Sequence, residues 1–292
     1  MRVDGEPVIF QGVELHNVAE VFEEADGGWR LQRVPEATRE GLDPPAQEMV
    51  RWAGGAEIRF VVTSARPVAL TLSAEALERG ARVRVFFGPF DAHEYAQEVG
   101  PEPITITIDP AAEVARRVAG LSPSVVGVDL LNLGVAGACR CEPAFADHIA
   151  TRQDWHLATL ALSVNMLGAG FSIEAFRERA EYLVERVASA DPTRPVWCIS
   201  LFPFFADLGV VPDGWGAVAG PDEYRAELAA IVERVRARCD LPLLRFVPRP
   251  SLLTDVGGHT ADLIHPGDLA MIEMGQRLAE HMQPTVARLV AD

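Results

Sequence analysis

The sequence predicts an antiparallel β-sandwich over residues 1–112 followed by an α/β domain with a parallel sheet over residues 113–292. Three observations predict it. Up to about residue 110 the apolar residues alternate with a period of two; beyond that point continuous apolar segments alternate with amphipathic helical stretches; and Gly and Pro turn signals separate the elements throughout.

In the first part, Glu57-Ile-Arg-Phe-Val-Val-Thr, Val68-Ala-Leu-Thr-Leu, Arg82-Val-Arg-Val-Phe and Ile104-Thr-Ile-Thr-Ile each alternate, as half-buried strands do. Asp26-Gly-Gly, between Val21-Phe and Trp29-Arg-Leu, marks a hairpin. In the second part, residues 125–133, 157–164, 196–202 and 241–247 are strand-like, with helices expected over 172–189, 221–239 and from about 266. Ser172 suits an N-cap, and Pro221 and Pro266 suit first helical positions. Apolar strands separated by helices imply a parallel sheet covered on both faces, with ligands at the carboxyl ends of its strands.

Composition removes several functions. The chain of 292 residues carries a net charge of -16, so it has no electrostatic footprint for nucleic acid. All 26 basic residues are arginine. Schiff-base chemistry, a pyridoxal phosphate linkage and a Walker P-loop all need a lysine amine and are excluded. The N-terminus lacks the apolar run of a secretory signal, and no window is long and apolar enough to span a membrane. Four sparse cysteines fit a reducing, cytoplasmic setting. Cys139 and Cys141 have the spacing of half a zinc site, but no second ligand pair follows.

Three motifs fall where strands are expected to end. Asn132-Leu-Gly-Val-Ala-Gly137-Ala offers glycines for a tight turn with free backbone N–H groups; taken alone it is also an ordinary β–α turn. Leu162-Ser-Val-Asn165-Met ends an apolar strand in an amide that donates a hydrogen bond without ionising, or simply caps a turn. Asp262-Leu-Ile-His265-Pro266 puts a carboxylate three residues before a histidine, where it can accept the Nδ1–H bond and leave Nε2 free as a base.

In this order the three motifs resemble the SGNH (GDSL-type) ester hydrolase and acyltransferase superfamily. The resemblance implies a flavodoxin-like α/β domain, Gly137 and Asn165 as oxyanion donors, His265 as the base and Asp262 as its orienter. It implies acyl transfer from an ester to water or another hydroxyl, with no metal or organic cofactor. Asn132 to Gly137, with Glu142-Pro143, is similar to the subgroup with an N-terminal jelly-roll domain, which includes esterases of polyketide and carbohydrate-type substrates and an acyltransferase. The implied partner is therefore an acylated small molecule or carbohydrate; the resemblance fixes no oligomeric state.

The nucleophile is missing from this pattern. The family's Gly-Asp-Ser block should end the strand before that of Asn132, yet none of the nine serines follows an aspartate, and no Gly-x-Ser-x-Gly elbow occurs. Ser122 and Ser124 lie nearest upstream, but Ser122 is too close to the strand at Val125, because a parallel neighbour needs a crossover of about a dozen residues. If Ile104–Ile108 were instead the first parallel strand, the serine position would hold Asp109 and Pro110; alternating Ile and Thr fits an antiparallel strand better. Cys139 is the remaining candidate, as a replacement thiol. A lost segment, a non-catalytic binding protein and altered chemistry all stay open.

Overall fold

The computed structural model describes residues 8–61, 66–74, 81–85, 96–108 and 131–291. The chain divides into two compact units: residues 1–58 with 131–292, and residues 59–130, which interrupt the first unit in sequence. The expected boundary at 112/113 falls in 109–130, outside the described residues, as do Ser122, Ser124 and most of the strand expected over 125–133. Of that strand, residues 131–133 are described and are irregular.

Among the described residues up to 108, four strand pairs run antiparallel. β1 (Val8–Phe10) pairs with β2 (Val13–His16), and β5 (Glu57–Arg59) adds to β2. β3 (Glu20–Glu23) and β4 (Trp29–Gln32) form the expected hairpin, closed where Gly28 N–H donates to Asp26 Oδ1 at 2.8 Å. In the other unit β6 (Val68–Leu72) pairs with β9 (Ile104–Ile108), and β7 (Ala81–Arg84) with β8 (Ala96–Val99). The Ile-Thr repeat therefore belongs to the antiparallel part. Its Thr105 hydroxyl lies 2.9 Å from that of Thr71 on the exposed face.

Two short helices, α1 (Glu36–Glu40) and α2 (Pro44–Met49), were not expected from the period-two pattern. Ala46 of α2, with Val34, Leu42 and Val50 from the chain around the two helices, forms a small core that Val135 and Ala138 complete.

The remainder is α/β. In order come α3 (Pro143–Thr151), β10 (Ala158–Ala161), α4 (Val164–Gly168), α5 (Ile173–Ala188), β11 (Val196–Ile199), α6 (Pro221–Arg238), β12 (Leu244–Val247) and α7 (Asp268–Ala291). The strands run parallel in the order β10-β11-β12, with Ala161, Ile199 and Val247 level at their carboxyl ends. All four residues of β11 are buried, as expected for a central strand covered on both faces. One large core, with Phe176, Tyr224, Leu228 and Ile231 fully buried, joins the sheet to α5 and α6. On the outer side of that helix pair Arg177, Arg234 and Arg238 bond Glu227, Glu181 and Glu185.

The helix signals hold with one exception. Ser172 Oγ accepts from Ala175 N–H at 3.2 Å, and Pro221 is the first residue of α6. Pro266 does not open α7, which begins at Asp268. Pro266 instead pairs with His259, and Gly267 N–H donates to Gly258 O at 2.8 Å, so a narrow loop occupies the residues that a helix would have used. No helix among the described residues is long and apolar enough to cross a membrane.

Two local conflicts generate predictions. β10 stops early because Ser163 adopts φ +105°, in a region that favours glycine, and its buried hydroxyl has no hydrogen-bond partner among the described residues. Ser163→Gly removes both penalties at the cost of some unfolded-state entropy, so a net gain of about 1–2 kcal/mol is expected. Thermal unfolding should show Tm rising by a few degrees; an unchanged or lower Tm would refute the strain. Glu142, buried at the head of α3, has one carboxylate oxygen without a partner among the described residues. Burial pushes its carboxyl up despite the backbone N–H bonds it accepts. A carboxyl raised in the folded state gives stability that is full below its ordinary value and lost as pH rises through the raised one. Glu142→Gln should therefore stabilise at pH 8, with the gain shrinking toward pH 4 in paired denaturation curves. A pH-independent effect would count against it.

Candidate active site

The Asp262–His265 segment is a turn organised by one carboxylate. Asp262 Oδ1 accepts from Thr260 Oγ1 at 2.8 Å and from the backbone N–H groups of Ile264 and His265 at 3.0 Å each. Leu263 takes φ +56° to let the chain curl around it. The second oxygen, Oδ2, lies 2.6 Å from His265 Nδ1. Backbone and side-chain bonds from His265 come first in holding this carboxyl well below the usual range, so it stays charged as the partner of the ring. With Nδ1 engaged, Nε2 is the nitrogen left to exchange a proton, and the His265 side chain is 76% exposed. Four acceptor contacts from three neighbouring residues explain why the spacing of three works: it closes a turn as well as a dyad.

Asn165 lies just beyond the carboxyl end of β10, as expected, in the first turn of α4. Met166 and Leu167 donate N–H bonds to Ser163 O, and their side chains are fully buried, which fixes the helix while leaving Asn165 half-exposed. Its side-chain amide makes no hydrogen bond among the described residues.

The segment after β11 touches both groups. Phe205 N–H donates to Leu263 O at 2.8 Å, tying it to the His265 turn. Gly216 N–H donates to Gly168 O at 3.1 Å, tying it to the end of α4. A Cβ on Gly168 would come within 2.6 Å of the Trp215 ring, so glycine is required there for close approach. Phe204, Phe205 and Trp215 stack together, with centroids 4.9 to 5.8 Å apart. Arg225 clamps the same segment, with two bonds to Asp207 at 2.6 and 2.7 Å and others to Leu201 O and Phe202 O.

Gly137 sits in an exposed turn at φ +67°, with open space where a Cβ would be; it is glycine for its backbone angle, not for crowding. The structure thus brings Asp262 and His265 into contact. It places Asn165 in α4 and Gly137 in a separate turn, and no hydrogen bond among the described residues joins either to the dyad. Cys139 is half-buried against the main core, its thiol lowered by a hydrogen bond from Cys141, whose own thiol is pushed up. Among the described residues no group of three metal-ligating side chains occurs, so the two cysteines find no further ligands.

Sequence reasoning missed two residues that shape this region. Arg33 and Asn17 carry no motif, and both bond the backbone of Asn132 from the far end of the chain. Only the left-handed φ of +55° at Asn17, a conformation asparagine tolerates well, had any local signature.

Residues 95–271, more than half of the chain, match the family of GDSL-like lipases and acylhydrolases. No curated protein matches the chain. Among solved structures, a salicylyl-acyltransferase from a tetracycline biosynthetic pathway is similar over 96% of both chains, with a TM-score of 0.62 and 11% identity, which establishes a shared fold. A GDSL-like lipase from Bacteroides ovatus is similar over 54% of this chain, with a TM-score of 0.44 and 21% identity, and the match spans 43% of that protein's length. The family match over more than half of its length gives the conclusion that the chain belongs to the GDSL-like lipase/acylhydrolase family.

Proposed function

We propose that the chain acts on an acyl ester of a small molecule or carbohydrate, with His265 as general base, Asp262 as its orienter, and Asn165 Nδ2 and the Gly137 N–H as oxyanion donors. The observation that carries the reading is the 2.6 Å contact between Asp262 Oδ2 and His265 Nδ1 in a turn that leaves Nε2 exposed. In the reaction His265 Nε2 takes a proton from the attacking hydroxyl as its oxygen bonds to the acyl carbon. The carbonyl oxygen becomes an oxyanion held by the two donors, and the proton passes to the leaving alcohol as the ester bond breaks. The tether of both α4 and the His265 turn to the segment after β11 supports convergence of these groups. The likeness to an acyltransferase along nearly the whole chain supports a hydroxyl acceptor besides water.

With no serine after an aspartate, the attacking group is water or the acceptor hydroxyl itself, and turnover is slow. Triads stripped of their nucleophile keep only about 10³–10⁴ over the uncatalysed rate. The same absence favours a second reading, in which the cleft binds an acylated ligand without turning it over.

Hydrolysis of p-nitrophenyl acetate by the native chain, a chain with a Gly-Asp-Ser strand and helix restored ahead of Val125, and both carrying His265→Ala separates these readings. The native chain should show slow, His265-dependent hydrolysis and no labelling by a serine-directed phosphonate, and the restored chain a rate at least about 100-fold higher that is again lost with His265. Fast native turnover would sink the missing-nucleophile assignment, and peptide mapping of the trapped adduct would then name the nucleophile. Hydrolysis indifferent to His265 in both chains would sink the dyad.

A further inference from the structure

We propose that Arg33 and Asn17 are positioning residues for the Asn132–Ala138 loop, so that the N-terminal segment, far from the motifs in sequence, sets the backbone angle and direction of the Gly137 N–H. The part concerning Gly137 rests on the oxyanion role given to it above; the clamp itself does not.

Arg33 is 5% exposed and bonds no carboxylate among the described residues. Its guanidinium donates to four backbone carbonyls: Trp52 O at 3.0 Å and Met49 O at 3.4 Å, at the carboxyl end of α2, and Asn132 O at 3.1 Å and Gly134 O at 2.8 Å in the loop. A buried cation is costly unless its donors are all met, and carbonyls at a helix end are favourable partners for it. The planar fork reaches two segments at once, which a lysine ammonium at the end of a flexible stem does not do. Asn17 adds a second bridge, with Nδ2 donating to Asn132 O at 2.8 Å and to Gly55 O at 3.0 Å. Gly55 lies so close to the loop that a Cβ there would sit 3.1 Å from that of Asn132.

Among the described residues the loop has few bonds of its own. Its residues belong to no strand or helix, and its internal bonds are Gly134 N–H to Asn132 Oδ1 at 3.0 Å and Ala138 N–H to Val135 O at 3.2 Å. Val135 and Ala138, on either side of Gly137, are buried against Val34, Leu42, Ala46 and Val50 of the same N-terminal segment. Polar clamps at 132 and 134 and apolar anchors at 135 and 138 leave the turn at Gly137 exposed yet held at both ends.

Amide hydrogen exchange on the full chain tests this, comparing the native protein with Arg33→Met, Arg33→Lys and Asn17→Gly, the last compatible with the left-handed φ at that position. Exchange at Gly134 and Ala138 should rise about tenfold or more in Arg33→Met and Asn17→Gly, and less in Arg33→Lys, while the β11 amides of Trp197 and Cys198 stay within about twofold. If Arg33→Met does not fold, the other two variants carry the test. Equal acceleration of the loop and β11 amides, or none in the loop, would overturn the clamp. In the same variants the His265-dependent hydrolysis rate should fall about tenfold with little change in KM, as loss of an oxyanion donor requires. A loosened loop with an unchanged rate would overturn the role of Gly137 and leave the clamp standing.

Discussion

The α/β part depends on burying β11 on both faces. Val196, Trp197, Cys198 and Ile199 are all removed from water, so helices must cover the sheet on each side and the neighbouring strands must run parallel to β11. Parallel strands cannot be joined by hairpins, and each crossover returns the chain through a helix. The loops that follow β10, β11 and β12 consequently leave from the same end of the sheet. Asn165, the Phe204–Trp215 cluster and the His265 turn all come from those loops, and the geometry of the site follows from the apolar character of one four-residue strand.

What keeps those loops in place is polar and arginine-rich. Arg225 holds the segment after β11 through Asp207 and two backbone carbonyls, and Arg33 holds the loop at 132–134 through carbonyls alone. A guanidinium presents five donors in a fixed plane, so one side chain can satisfy several fixed acceptors with little loss of freedom per bond. In a chain without lysine, every basic clamp has this form. The Asp262 turn uses the complementary device, one carboxylate that gathers three neighbouring donors and then orients the ring of His265.

The N-terminal segment is joined to the hydrolase-type part by this same chemistry. Residues 1–58 share a compact unit with 131–292, through the Arg33 and Asn17 bonds and through the small core of Val34, Leu42, Ala46, Val50, Val135 and Ala138. The loop gains its shape from side chains that reach it from elsewhere, because its internal bonds are few and its packed residues, Val135 and Ala138, rest on the N-terminal segment.

Periodicity determined the division between antiparallel and parallel pairing, while the hairpin at Asp26-Gly-Gly and the helices that begin after Ser172 and at Pro221 were legible from turn and cap residues whose contacts lie within a few residues. The Asp262–His265 pair was legible for the same reason: its bonds close within three residues. Tertiary structure decided the rest. Pro266 yields its helix-starting position to a loop fixed by Gly258, ten residues or fewer away but folded back on itself. Asn165 falls in a helix rather than a turn because Ser163 turns the chain, and α2 buries Ala46 against Val135 and Ala138 from nearly a hundred residues downstream. Arg33 acquires its role from carbonyls that only the folded chain brings around it, and an isolated arginine in a sequence carries no sign of which acceptors it will meet.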